Sequence, residues 1–154
     1  MPRFTILLHQ TETTPDWRAA DSPSNVASGN QHWDWLFETD EEDADDDAWS
    51  LLTWATDPLE PDWLERTART TPSIAAMRLP NHRRRYLHFE GELSDGRGSV
   101  RRVALGEYSL IAKTADDFRV RLKSVTPHGA KSLTPCVHFR RAESLWRLEI
   151  DAVE

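Results

Sequence analysis

Gln31-His32-Trp33-Asp34-Trp35-Leu36-Phe37-Glu38 is the stretch whose reading decides the fold, because three aromatics alternate in it with histidine, aspartate and leucine. Side chains of a strand point alternately to its two faces, so a strand here turns Trp33, Trp35 and Phe37 to one side and His32 and Asp34 to the other. The aromatic side predicts a core. The opposite side puts an imidazole next to a carboxylate, and that pattern fits either a solvated strand surface or a metal clamp.

The same short alternation recurs along the chain. Strands are expected at Arg3 to His9, His32 to Glu38, Ser50 to Ala55, Arg85 to Gly91, Ser99 to Leu105, Tyr108 to Ala112, Phe118 to Val125, Cys136 to Arg140 and Leu145 to Ile150. Turn signals separate them at Asp57-Pro58, Ser94-Asp95-Gly96-Arg97-Gly98 and Pro127-His128-Gly129. About nine short strands in 154 residues imply a mainly β chain, a compact antiparallel barrel or sandwich with one or two short helices, Glu60 to Thr67 being the best helix candidate. The length suits a single domain over residues 1–154.

Two segments break the rhythm. Residues 11–31, rich in Thr, Ser, Asn and Pro, form a long insertion between His9 and His32, with Asp16, Trp17 and Arg18 as its most interesting contacts. Residues 38–47 carry eight carboxylates but lack the spacing of a calcium-binding loop, so they read as a solvated acidic loop. Net charge is −7, and this one stretch accounts for all of it, leaving about +1 elsewhere. Between Arg78 and Arg102, seven arginines face only Glu90, Glu92 and Asp95, a local balance compatible with a phosphate-bearing ligand, while the overall acidity argues against strong nonspecific duplex binding.

The single cysteine, Cys136, excludes an internal disulfide framework and suits a reducing compartment, where it is expected to be a small buried residue. No secretory apolar region and no run of membrane-spanning length is present, so a cytoplasmic protein with no membrane partner is expected. Of seven tryptophans, Trp33, Trp35, Trp54 and Trp146 read as core. His88, His128 and His138 lack a convincing partner, although His88 shares the face of Tyr86 on the strand expected there.

Read in order, Phe4-Thr5-Ile6-Leu7-Leu8-His9, His32-Trp33-Asp34-x-x-x-Glu38, Leu52-Thr53-Trp54-Ala55, His82-x-x-x-Tyr86 and Phe89-Glu90-Gly91 form a succession. It resembles the 3'-phosphoesterase domain of bacterial DNA ligase D. That family runs from a strand ending in Gln-x-His, through Leu-His-Tyr-Asp-x-Arg-Leu-Glu and Ser-Trp-Ala, to Asp-His-Pro-Leu-Glu-Tyr and Phe-Glu-Gly. The resemblance covers residues 2–108 and implies a β-barrel that binds manganese, zinc or another divalent ion through His9, His32 and Asp34. It also implies that His82 contacts the scissile phosphate, with Tyr86 beside it, and that the chain removes 3'-phosphates or 3'-ribonucleotides from DNA ends in repair. Nucleic-acid 3' ends would then be its partners, with a separate DNA ligase or polymerase.

The family places a phosphate-binding arginine two residues after the metal-binding aspartate, where this chain has Leu36, and leucine cannot supply the two-pronged guanidinium contact. Arg78, Arg83, Arg84 and Arg85 are the candidate substitutes. Two other functions stay open. His32, Asp34 and His82 also fit the two-histidine, one-carboxylate pattern of non-haem iron oxygenases. A non-catalytic nucleic-acid or protein-binding barrel would fit the loss of the arginine.

Overall fold

The computed structural model describes residues 1–11, 31–39, 45–59, 63, 73–93, 98–126 and 134–151. Among these, nine strands form one sheet: β1 Arg3–Gln10, β2 Gln31–Glu38, β3 Leu51–Thr56, β4 Ser73–His82, β5 Gly91–Glu92, β6 Ser99–Lys113, β7 Asp117–Thr126, β8 Cys136–Ala142 and β9 Leu145–Asp151. Every pairing is antiparallel. The order β1-β2-β3-β4-β9-β8-β7-β6 closes through a β1–β6 pairing into a ring of eight strands, with β5 added to the start of β6. The mainly β antiparallel architecture is the one expected from the alternation. Among the described residues no helix is long and apolar enough to cross a membrane.

Aromatic packing fills the ring. Trp54 stacks on Phe139 at 4.6 Å between centroids and on Phe118 at 5.0 Å. Trp35 meets Trp63 and Phe139 edge-on at 5.5 and 5.8 Å, and its indole N–H donates to Thr56 Oγ1 at 3.0 Å, so the one polar group it brings inside is satisfied. Trp33 and Cys136 are buried as expected, and Trp146 packs against the rim of the core.

Ring closure depends on β6, which pairs with β1 over its first half and β7 over its second. At the handover, Gly106 lies opposite Phe4, and a Cβ there would come within 2.6 Å of the Lys123 carbonyl oxygen and 2.9 Å of a Phe4 ring carbon. Only glycine fits between two partners pressing from opposite sides.

Three expectations are corrected. Arg85 to Gly91 is not a strand: Arg84–Leu87 forms a 3₁₀ turn, and only Gly91–Glu92 pairs, with the start of β6. The strand that closes this side is instead Ser73–His82, whose alanines, arginine and Pro80 hide its extended character; it pairs with β3 and β9 on its two sides, so topology rather than propensity holds it. Ser99 to Leu105 and Tyr108 to Ala112 are one continuous strand bent by register shifts. Most of the 11–31 insertion, the acidic stretch from Asp40 to Ala44, and the Glu60–Thr67 helix candidate apart from buried Trp63 lie outside the described residues, as do Asp16, Trp17, Arg18 and His128.

A second, smaller apolar cluster sits on the outer face of the ring. Leu7, Leu36, Leu51 and Val100 project outward from β1, β2, β3 and β6 and are covered by Leu87 of the 3₁₀ turn, with Tyr86, Phe89 and Leu93 along its edge. This outer layer carries the site.

Candidate metal centre

His9 and His32 are register partners on β1 and β2, and Asp34 stands two residues after His32 on the same outer face. Pairing brings the imidazoles to 4.8 Å between centroids, edge to face. The Asp34 carboxylate lies between them, with Oδ1 3.1 Å from His32 Nε2 and Oδ2 3.5 Å from His9 Nδ1. One ligand atom from each of the three residues can be chosen so that all lie within 4.8 Å of one another. His32 is 4% and Asp34 2% exposed, so this is not the solvated strand surface that the spacing alone also allowed.

Burial by itself would raise the Asp34 carboxyl. Contacts with His32 and His9, and electrostatic attraction to His32 and His82, outweigh it and hold the group well below the usual carboxylate range. Even so, Asp34 Oδ1 receives no well-directed hydrogen bond among the described residues, because its close approach to His32 is poorly aligned. A buried carboxylate oxygen in that state suits a cation better than a weak donor.

The donor set fits a divalent ion. Ligands about 2.1 Å from a common centre stand about 3.0–3.4 Å apart. The two His–Asp separations, 3.1 Å to Oδ1 and 3.5 Å to Oδ2, are near this spacing, while the three ligand atoms are spread over up to 4.8 Å and would draw in around an ion. Two imidazole nitrogens and a carboxylate oxygen suit manganese, zinc, iron or cobalt, and geometry and supply decide among these.

Beside this triad opens a cleft of about 630 Å³, lined by His9 and Asp34 on one side and by Trp49, His82, Arg83 and Tyr86 on the other. His82 ends β4 and Tyr86 lies in the 3₁₀ turn, with ring centroids 6.0 Å apart. His82 Nδ1 is 3.0 Å from the Pro80 carbonyl oxygen. Since a carbonyl only accepts, Nδ1 carries the hydrogen and Nε2 is left as the reactive nitrogen.

The four arginine candidates separate cleanly. Arg78 donates to the Thr53 carbonyl at 2.9 Å and to Asn81 Oδ1 at 3.1 Å, with its guanidinium 4.7 Å above the Trp54 ring; it is a half-buried strut. Arg84 pairs with Glu38 at 2.8 Å, and Arg85 pairs with Asp47. Arg83 alone of the four lines the cleft, resting over the exposed indole of Trp49 at 4.7 Å. His88 is exposed at the end of the turn, 3.6 Å from an Asp46 oxygen, and away from the lining residues. His138 pairs with Asp117 at 2.8 Å on the far side of the ring.

Leu36 shares the face of Asp34 but is fully buried in the outer apolar cluster. The position from which a phosphate-binding arginine was expected is roofed over by Leu87, so it has become part of the packing beneath the turn. Trp49 is the lining residue that the strand pattern misses. Its signal was positional: it falls between the acidic stretch and β3, outside any alternating run.

No protein-family model and no curated protein matches the chain.

Proposed function

We propose that the chain is a metal-dependent phosphoesterase that removes 3'-phosphates or 3'-terminal ribonucleotides from DNA ends, with manganese the expected ion and end repair beside a separate ligase or polymerase the expected setting. The single observation that carries this reading is the convergence of His9, His32 and Asp34, two of which, His9 and Asp34, line a cleft that His82, Tyr86 and Arg83 also line.

In hydrolysis of a 3'-phosphate, a water oxygen bonds to phosphorus, the bond from phosphorus to the 3' oxygen breaks, and that oxygen leaves as a hydroxyl. A divalent ion held by His9, His32 and Asp34 would offset phosphoryl charge and make a bound water more acidic. The remaining work falls to the chain. Arg83 supplies a fixed positive charge for the phosphoryl oxygens, taking over the duty that Leu36 cannot perform. Tyr86 offers a neutral hydroxyl donor to the same oxygens. His82, oriented through Nδ1–H by the Pro80 carbonyl, presents Nε2, which in the imidazolium form carries the proton given to the departing 3' oxygen and afterwards keeps only the Nδ1 hydrogen.

Two rival readings meet the same geometry. The oxygenase reading needs His82 as the third ligand, whereas it is His9 that groups with His32 and Asp34, and this favours the phosphoesterase. Burial of Leu36 and the ion pairs of Arg84 and Arg85 favour the other rival, a non-catalytic nucleic-acid-binding barrel. Release of phosphate or ribonucleotide from a 3'-modified primer-template separates the two. Wild type is expected to release product with manganese and not with chelator, and His32→Ala to lose at least about a hundredfold, as for loss of a metal ligand. Equal, metal-independent traces from both proteins would rule out the enzyme and leave the binding barrel.

A further inference from the structure

Trp49 is 61% exposed, although six aromatic side chains, Phe4, Trp33, Trp35, Phe37, Trp54 and Phe139, are buried in the ring nearby. It is no loose surface residue. Asn81 Nδ2 donates to its carbonyl oxygen at 3.3 Å, and Asn81 Oδ1 is in turn held by Arg78 at 3.1 Å. One residue earlier, the Ala48 carbonyl accepts from the Arg84 amide at 2.9 Å, and the Asp46 carbonyl accepts from the Arg85 amide at 3.0 Å. The segment carrying Trp49 is thus stitched to the 3₁₀ turn and to the end of β4, the same elements that carry His82, Arg83 and Tyr86. An exposed indole is held in register with the candidate catalytic wall, and Arg83 covers one part of it.

We propose that Trp49 is a specificity-determining platform: it stacks the nucleobase of the 3'-terminal nucleotide, while Arg83 reaches from the indole to that nucleotide's phosphate. The inference rests on the phosphoesterase reading of the cleft and names its substrate as a nucleotide unit with a base attached, in preference to a bare sugar phosphate. Three observations meet in it. An indole face is sequence-tolerant and stacks any base. A guanidinium beside the ring complements the phosphate one sugar away. The cleft, at about 630 Å³, lies within the size range of small-ligand sites, about 300–1,000 Å³.

The test compares two single-stranded 3'-phosphorylated tetranucleotides, one complete and one with an abasic terminal sugar. Binding is measured with chelator present so that neither is consumed. Wild type is expected to bind the complete probe more tightly; Trp49→Ala should weaken that probe by about five- to twentyfold, the lower part of the range for base stacking, and leave the abasic probe unchanged. Trp49→Phe should restore most of the difference. Equal affinity of wild type for the two probes, absence of binding to either, or an equal loss on both in Trp49→Ala would overturn the platform. The outcomes separate from those of the proposed function: metal-dependent release from the abasic probe with no base discrimination keeps the phosphoesterase and removes the platform. Base discrimination without any metal-dependent release does the reverse.

Discussion

Strand β2 turns Trp33, Trp35 and Phe37 into the ring and His32, Asp34 and Leu36 out of it, and none of the six is more than 5% exposed. Equal burial conceals opposite physics. The inner three are held by ring contacts, Trp33 with Trp35 and Phe37 with Trp54 and Phe118, so their burial is favourable in itself. Of the outer three, only Leu36 gains by leaving water. His32 and Asp34 are polar groups taken out of water; contacts with His32 and His9 outweigh the desolvation of the Asp34 carboxylate, yet its Oδ1 is left poorly satisfied. A fold seldom keeps such a pair under cover for packing alone, and the difference between the two faces locates the site more sharply than the residue types do.

The inner face should show the largest response. Trp35→Ala removes a fully buried indole at the centre of the aromatic cluster together with its bond to Thr56, and unfolding in urea should show a loss of about 3–5 kcal/mol relative to wild type. A loss under 1 kcal/mol would mean that the ring interior is far looser than the contacts indicate.

Leu36→Arg tests the outer face. This substitution supplies the arginine that the sequence resemblance leads one to expect, yet the site is closed by Leu7, Leu51, Leu87 and Val100, and a guanidinium there would be buried without a partner. A destabilisation of about 3 kcal/mol or more is expected, with no gain in phosphate release. Retained stability with enhanced release would show that Leu87 yields, and that the arginine's absence is a matter of sequence rather than packing.

The smallest effect lies where the outer face reaches the rim. Glu38 accepts from the Arg3 amide at 2.7 Å and from Arg84 at 2.8 Å; burial alone would raise its carboxyl, but the arginines hold it below its ordinary 4.5. A carboxylate lowered on folding adds stability that is present above its unfolded value and is lost as pH falls through its folded one. Glu38→Gln should therefore destabilise by about 1 kcal/mol near neutral pH, a modest figure because the pair is partly screened. The difference from wild type should shrink as pH drops below about 4.5, followed by urea midpoints across pH. A difference that grows toward acid would reverse the assigned sign.

What could be read from residues alone follows the strength of local patterning. β2 and β3 were legible because aromatic or apolar residues alternate in them, and Phe118 to Val125 for the same reason. β4 was not, because Ser73–His82 has few β-branched residues and contains Pro80; its extended form is dictated by the neighbours on either side. The 3₁₀ turn at Arg84–Leu87 looked like a strand because Tyr86, His88 and Glu90 alternate with Leu87 and Phe89, a coincidence of a short segment that period alone cannot resolve.

For the site, sequence by itself determined which groups were available: two histidines and an aspartate at strand spacing, a third histidine with a tyrosine four residues on, and a cluster of arginines. That much follows from strand alternation and the chemistry of the side chains. Only the tertiary structure decided which of them meet. Register between β1 and β2 set His9 against His32, a pairing across 22 intervening residues that local sequence does not encode. The turn after β4 closed over Leu36, drew Arg84 and Arg85 into ion pairs, and left Arg83 with Trp49 at the cleft. Those outcomes depend on which atoms compete for the same space and charge, and that competition exists only once the ring has closed.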